Sequence, residues 1–80
     1  MPLSPKKNTL IVAFDRTTDA MAMEAACERD GVPGRIIPMP PQISAGCGMV
    51  WKADPADRQQ ILDEMEKVGL TPSSLHELML

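Results

Sequence analysis

The two cysteines are the residues best suited to chemistry, and Cys47 has the more open setting. It lies between Gly46 and Gly48, three residues after Ser44. Flanking glycines leave the sulfur sterically accessible and permit unusual backbone angles. Loop amides can then converge on an anion, and Ser44 could donate a hydroxyl hydrogen bond. Such donors would raise the thiolate fraction of a thiol whose ordinary pKa is ~8.5. Cys47 is therefore the candidate nucleophile, supported by Ser44, Gly46 and Gly48.

A structural interpretation of Cys47 stays open, because most lone cysteines are small buried hydrophobes. A Gly-Cys-Gly segment can also be an ordinary junction between a loop and a strand. Cys27 lies on the apolar face of a predicted helix and is interpreted as core filler. A Cys27–Cys47 disulfide is the less favoured alternative, since two cysteines do not make a disulfide scaffold.

The remaining polar candidates are weak. His76 is the only histidine, lies near the end of the chain and has no predicted partner, so we expect a surface residue. Cys47 then has no evident base for a Cys–His pair. Glu24 lies within an apolar helix face, where it is either partly exposed or paired with Arg35. The methionines at 21, 23 and 65 are expected in the core. No metal or cofactor is expected.

Six elements are predicted to position these residues. Residues 1–7 carry two prolines and are expected to form a flexible tail, with residues 8–80 as one domain. The apolar runs predict strands and the helical spacings predict helices. The order is strand 8–14, helix to about Asp30, strand 35–37, strand 49–53, a helix after Asp54 and a strand over 75–80. For the last stretch, a helical turn is the alternative.

Capping and stop signals define both helices. Thr17 or Thr18 is predicted to cap the first helix, and Gly31 to end it. Asp54-Pro55 is predicted to open the second helix, and Gly69 to end it. One face of the first helix is predicted to carry Ala20, Met23, Glu24 and Cys27, with Met21 and Ala26 beside it. The apolar stripe of the second helix is predicted to consist of Ile61, Leu62, Met65 and Val68.

This order predicts an α+β, ferredoxin-like βαββαβ sandwich: a four-stranded antiparallel sheet with two helices on one face. Two helices cover only one face of such a sheet. The other face must be polar or meet a partner, so a homodimer or a docking surface is expected.

Composition excludes several classes of partner. The 80 residues are 44% hydrophobic and 24% charged, with net charge −3. An acidic chain has no electrostatic reason to bind nucleic acid. No apolar run approaches the ~20 residues of a membrane span. No signal peptide is recognised, so a cytoplasmic protein with reduced thiols is expected.

The turn between the first strand and helix, Asp15-Arg16-Thr17-Thr18, argues against other ferredoxin-like functions. It lacks the Cys-x-x-Cys of copper chaperones and the glycines of acylphosphatases and small-molecule regulatory domains. Phe14 and Trp51 are the only aromatic residues, which is too few for an RNA-binding platform.

The chain resembles the small bacterial family of selenium/sulfur carrier-like domains over roughly residues 9–79. The resemblance rests on motifs in a matching order: Phe14, Thr17-Thr18 with Ala20 and Glu24, Gly31-Val32, Arg35-Ile36-Ile37-Pro38, Pro40 or Pro41, Ile43-Ser44, Cys47-Gly48 and Asp54-Pro55-Ala56-Asp57. It implies a carrier that holds sulfur or selenium on Cys47 as a persulfide or selenenyl sulfide. The implied partners are a donor, such as a cysteine desulfurase, and an acceptor protein. Two departures stand out: Ala45-Gly46 where relatives have bulkier polar residues, and Cys27 where they have an aliphatic.

Three functional hypotheses follow. The first is a thiol carrier, rather than a turnover enzyme. The second is an interaction or regulatory module that dimerises through the open sheet face, with Cys47 incidental. The third, weaker, is an accessory domain that binds a small ligand beside the proline-rich loop.

Overall fold

The computed structural model describes residues 8–43 and 48–79. The expected tail, residues 1–7, lies outside them. Along the chain, the elements are β1 (Asn8–Ala13), α1 (Thr17–Asp30), β2 (Arg35–Pro38), β3 (Met49–Ala53), α2 (Arg58–Val68) and β4 (Ser74–Met79), with a 3-10 turn over Pro55–Asp57 before α2. The last stretch is therefore a strand, as favoured over a helical turn.

The four strands form one antiparallel sheet in the order β2-β3-β1-β4. With two helices this is the predicted α+β ferredoxin-like fold. β1 lies in the centre, where Val12 pairs with Trp51 of β3 and with Leu75 of β4. Its run of apolar residues is needed because a central strand is buried on both faces, and all residues from Leu10 to Ala13 have no exposed surface.

The helices cover the face of the sheet from which Leu10, Val12 and Phe14 project. Alternation along a strand puts these side chains on one face, and the 3.6-residue period of each helix turns its apolar stripe toward them. The main core consists of Leu10, Val12, Phe14, Ala20, Met23, Cys27, Val32, Trp51, Ala53, Ile61 and Met65. Met21 was predicted beside the stripe but is 62% exposed, because it points away from the sheet.

The opposite face, here called the second face, carries a smaller apolar cluster. Ile11, Ala13 and Val50 are fully buried there although no helix covers them. Ile43 packs on them from the connection between β2 and β3, together with the half-buried Met39. The chain thus covers part of this face with its own loop, a solution that the element order alone does not reveal.

The two helices start differently. The predicted threonine cap of α1 is wrong: Arg16 occupies the N-cap position, and no side chain caps it. Its side chain instead pairs with Asp19, with 3.5 Å between Nε and Oδ2. The predicted Asp54 cap is confirmed, since its Oδ1 accepts a hydrogen bond of 2.9 Å from the Ala56 N–H. Gly31 and Gly69 end the helices in the left-handed conformation, as predicted.

Strand β2 includes Pro38, one residue beyond the predicted strand 35–37. Pro38 lies opposite Met49, and the Met39 N–H then donates to the Gly48 carbonyl at 2.9 Å. Neighbouring residues of a strand direct their N–H groups to opposite sides. Because Met39 donates toward β3, the nitrogen of Pro38 faces the free edge of the sheet, where proline is tolerated.

Within the described residues, neither helix is long and apolar enough to cross a membrane.

Candidate functional site

The predicted reactive loop is described only at its ends. Ser44, Gly46 and Cys47 lie outside the described residues, so their predicted roles stay predictions. Gly48 is exposed and has φ +91°, a conformation that side chains rarely adopt. A glycine is therefore needed immediately after Cys47, in agreement with the unusual backbone angles expected there.

The two ends of the loop are fixed relative to each other. The hydrogen bond from Met39 to Gly48 closes a ten-residue connection, 39–48, between the end of β2 and the start of β3. On the way, the Ile43 N–H donates to the Pro40 carbonyl at 3.0 Å, and both residues are buried. Ile43 is 6% exposed and packs on the second face. The segment that contains Cys47 thus connects Ile43, which is anchored on the second face, to Gly48, the residue immediately before β3.

Cys27 is the opposite case. It is a free thiol, 1% exposed, in the main core. Burial, and then the nearby carboxylates of Glu64 and Asp30, raise the pKa of the Cys27 thiol to about 11. Low dielectric surroundings and negative neighbours both disfavour a thiolate. Cys27 is therefore protonated at neutral pH. Its burial in the main core confirms the prediction of a core residue.

An acidic pair that the sequence did not indicate lies between the helices, with Asp30 from α1 and Glu64 from α2. Arg29 and Lys67 approach Asp30 Oδ2 at 2.8 and 3.2 Å. Glu64 is 6% exposed, and its Oε2 has no hydrogen-bond partner within the described part of the chain. The hydrogen bond to Asp30, burial and the charge of Asp30 raise the pKa of Glu64.

The same contacts act on Asp30 in the opposite direction. Hydrogen bonds from Arg29, Glu64 and Lys67 hold the pKa of Asp30 well below its usual range. The pair is thus a protonation-sensitive contact between the helices. One signal could have revealed it: Glu64 occupies a position of the apolar stripe, three residues after Ile61 and next to Met65.

His76 and Glu24 were the other polar candidates. His76 was expected to be a surface residue without a partner, but it is half-buried. It also has a hydrogen-bond partner, since its Nε2 lies 2.8 Å from Ser74 Oγ. It projects from β4 onto the second face, directly opposite Ile11. Glu24 is exposed, as the simpler interpretation predicted. Among the described residues, no group of three or more His, Cys, Asp or Glu is placed to hold a metal ion.

Comparison with known proteins assigns the chain to a family. Residues 9–77 match the family model described as "Putative Se/S carrier protein-like". The match covers most of the chain, and this α+β protein therefore belongs to the family, as the sequence motifs had suggested. No curated protein matches the chain. No solved structure matches it either.

Proposed function

We propose that this protein is a sulfur or selenium carrier that holds the chalcogen on Cys47 as a persulfide or selenenyl sulfide. Membership of the Se/S carrier-like family supports the general role. The observation that carries the assignment to Cys47 is the burial of the other thiol. Cys27 is 1% exposed, so a protein partner cannot reach its sulfur without opening the core.

The transfer step needs only a thiolate and a polarised sulfur. The Cys47 thiolate attacks the outer sulfur of a persulfide on the donor protein. A new sulfur–sulfur bond forms on Cys47, the bond between the two donor sulfurs breaks, and the donor cysteine leaves as a thiolate. A second attack, by an acceptor nucleophile on the outer sulfur held by Cys47, releases the carrier thiolate. Selenium would follow the same sequence, and no external oxidant or reductant is consumed.

The anchored loop supports this role by its connection to the sheet. The Met39–Gly48 hydrogen bond and the packing of Ile43 hold the described ends of the loop against the sheet. Preorganised loop ends lose less conformational entropy when a donor or an acceptor binds. Ser44 and Gly46 are proposed to support the thiolate through a hydroxyl and an accessible backbone, with Gly48 beside them.

The loading assay tests the proposal directly. The protein is incubated with a cysteine desulfurase and free cysteine, and its intact mass is measured before and after a reductant is added. We expect one added sulfur that the reductant removes. Cys27→Ala should load like the natural protein, whereas Cys47→Ser should stay unloaded. Loading of Cys47→Ser would contradict the proposal. So would a failure of the natural protein and Cys27→Ala to load.

Thiol labelling gives an independent measurement on the unloaded protein. With a pKa of about 11, only about one Cys27 thiol in a thousand is ionised at pH 8. We expect an alkylating reagent to modify Cys47 at least tenfold faster than Cys27 in the folded protein. In denaturant, the two rates should become similar. Equal, slow labelling in the folded state would refute a reactive Cys47.

That last outcome would favour the alternative, an interaction or regulatory module that dimerises through the second face. Ile37 and Leu78 are half-buried there, beside the area covered by Ile43. The homodimer stays a prediction, which sedimentation analysis at several protein concentrations can test.

A further inference from the structure

The distribution of ion pairs sets two cations apart. Of the eight Lys and Arg in the sequence, Lys6 and Lys7 lie outside the described residues. Four of the others lie within 4.0 Å of a carboxylate: Arg16, Arg29, Arg58 and Lys67. Within the described part of the chain, Arg35 and Lys52 have no such pair. All eleven Asp and Glu residues are in the described ranges, and none of them forms an ion pair within 4.0 Å with Arg35 or Lys52.

These two cations are direct neighbours. Arg35 of β2 lies opposite Lys52 of β3 in the antiparallel register. Opposite residues project from the same face, with their Cβ atoms about 4.5–5.5 Å apart. Like charges in this position destabilise a sheet. A protein with net charge −3 has enough carboxylates to neutralise both, yet neither of these adjacent cations has a carboxylate within 4.0 Å.

A groove of about 390 Å³ lies beside this pair, where β1 and β2 begin and β3 ends. Asn8, Thr9, Gly34 and Asp54 line it together with Arg35 and Lys52. Asp54 Oδ1 accepts the hydrogen bond from the Ala56 N–H that caps the following turn. Asp54 is exposed, and its negative charge would repel an anion, which favours binding on the side of the groove formed by the arginine and the lysine.

We propose that this groove, here called the Arg35–Lys52 groove, binds a small molecule through an oxyanion group, either a carboxylate or a phosphate. The planar guanidinium of Arg35 can donate two parallel hydrogen bonds to such a group, and the ammonium of Lys52 adds a compact charge. The volume is at the lower end of the ~300–1,000 Å³ that is usual for small-molecule sites.

The groove is lined by the end of β3 that lies farther from Gly48. Lys52 lies four residues after Gly48 along β3, which corresponds to about 13 Å at the rise of ~3.3 Å per residue of a strand. The inference therefore does not depend on the proposed function of Cys47.

Titration with two simple anions tests the inference. Inorganic phosphate and succinate are added separately at low ionic strength, with chloride as the reference anion, and amide NMR signals are followed. We expect saturable shifts that are largest at Gly34, Arg35 and Lys52. Saturation by only one anion would identify phosphate or carboxylate as the preferred group. If neither anion gives saturable shifts at these residues, the inference is wrong.

Matched variants separate a site from general electrostatic attraction. Lys52→Gln and Arg35→Gln should each weaken binding at least tenfold. Arg58→Gln removes the same charge from α2, outside the groove, and should change the affinity less than twofold. An equal loss in Arg58→Gln would overturn the proposal. Cys47→Ser should bind the anion normally, so failure of the carrier hypothesis would leave this result unaffected.

Thermal unfolding provides a readout that a structural role of Lys52 would not give. Without anion and at low salt, Lys52→Gln should unfold at the same temperature as the natural protein or a higher one, because a repulsion is removed. Added anion should raise the melting temperature of the natural protein and leave that of Lys52→Gln unchanged. A large drop for ligand-free Lys52→Gln would show that the lysine is structural and would contradict the inference.

Discussion

Substitution of Gly34 by alanine should be the most damaging small change outside the hydrophobic core. Gly34 precedes β2 and has φ +126°. A Cβ added to it would lie 2.4 Å from Trp51 Nε1, 2.6 Å from Trp51 Cε2 and 2.7 Å from the Lys52 carbonyl oxygen. All three distances are shorter than Cβ contacts in real proteins. The indole is 3% exposed and the carbonyl is backbone, so neither can simply turn aside.

Two costs combine in Gly34→Ala. A residue with a side chain held at this φ is strained by about 1–3 kcal/mol. Forcing a methyl group into a packed contact costs about 1–3 kcal/mol more. The sum is comparable to the ~3–5 kcal/mol that a single core of this size usually supplies. We therefore expect much of the variant population to be unfolded at 25 °C.

Urea unfolding followed by the fluorescence of Trp51 measures this effect. Trp51 is the only tryptophan, so the probe lies at the substituted contact. Gly31→Ala is the matched control: Gly31 also has a positive φ, +70°, but an added Cβ meets nothing within 4 Å. The left-handed backbone conformation alone should lower the free energy of unfolding of Gly31→Ala by about 1–2 kcal/mol.

The comparison between the two variants isolates the steric contact. Gly34→Ala should lose at least about 1 kcal/mol more of its free energy of unfolding than Gly31→Ala. This difference corresponds to a melting temperature that is lower by a further ~4–8 °C. Circular dichroism provides a second probe if the fluorescence of the folded variant is itself altered. Equal losses would mean that the close packing of Gly34 on the indole does not contribute, and the reasoning would be refuted.

Two further predictions concern the helix interface and the second face. For Glu64→Gln, the raised pKa of Glu64 means that protonation of this side chain stabilises the fold. That contribution to the free energy of unfolding is complete below the ordinary pKa of 4.5 and is lost as the pH rises through the folded-state pKa. The variant should therefore be more stable than the natural protein at pH 7, with the gap closing toward pH 4 in urea unfolding series; a gap that widens on acidification would contradict this. Ile43→Ala should lose about 2–5 kcal/mol because it removes a buried side chain from the second face. Ile43→Val should lose only ~0.5–1.5 kcal/mol, and equal unfolding of all three proteins would show that the loop does not pack there.

Local signals were sufficient for the elements of the fold. The apolar runs around Val12 and Trp51 predicted strands, and the stripes that contain Met23 and Met65 predicted helices. Gly31 and Gly69 ended the helices as expected. These signals are reliable here because strand alternation and helical spacing depend on neighbours within a few residues. The threonine cap failed because several polar residues compete at the start of α1, and Arg16 and Asp19 pair instead.

The candidate site was predictable only in part. The sequence singled out Cys47 by its glycine neighbours and Cys27 by its helical position, and the burial of Cys27 confirms the second interpretation. No sequence pattern indicated that Ile43 would cover the second face. A loop without periodicity does not indicate which surface it contacts, and that contact depends on the path of the chain between β2 and β3.

The amino-acid sequence by itself determined the order of strands and helices, the ferredoxin-like architecture and the place of Cys27 in the core. Tertiary structure alone brought Asp30 beside Glu64 and Arg35 beside Lys52. Each of these pairs joins residues that are far apart in the chain, and the packing of the helices or the register of the strands decides their contact. A shift of one residue in that register would move Lys52 to the other face of the sheet and abolish the groove.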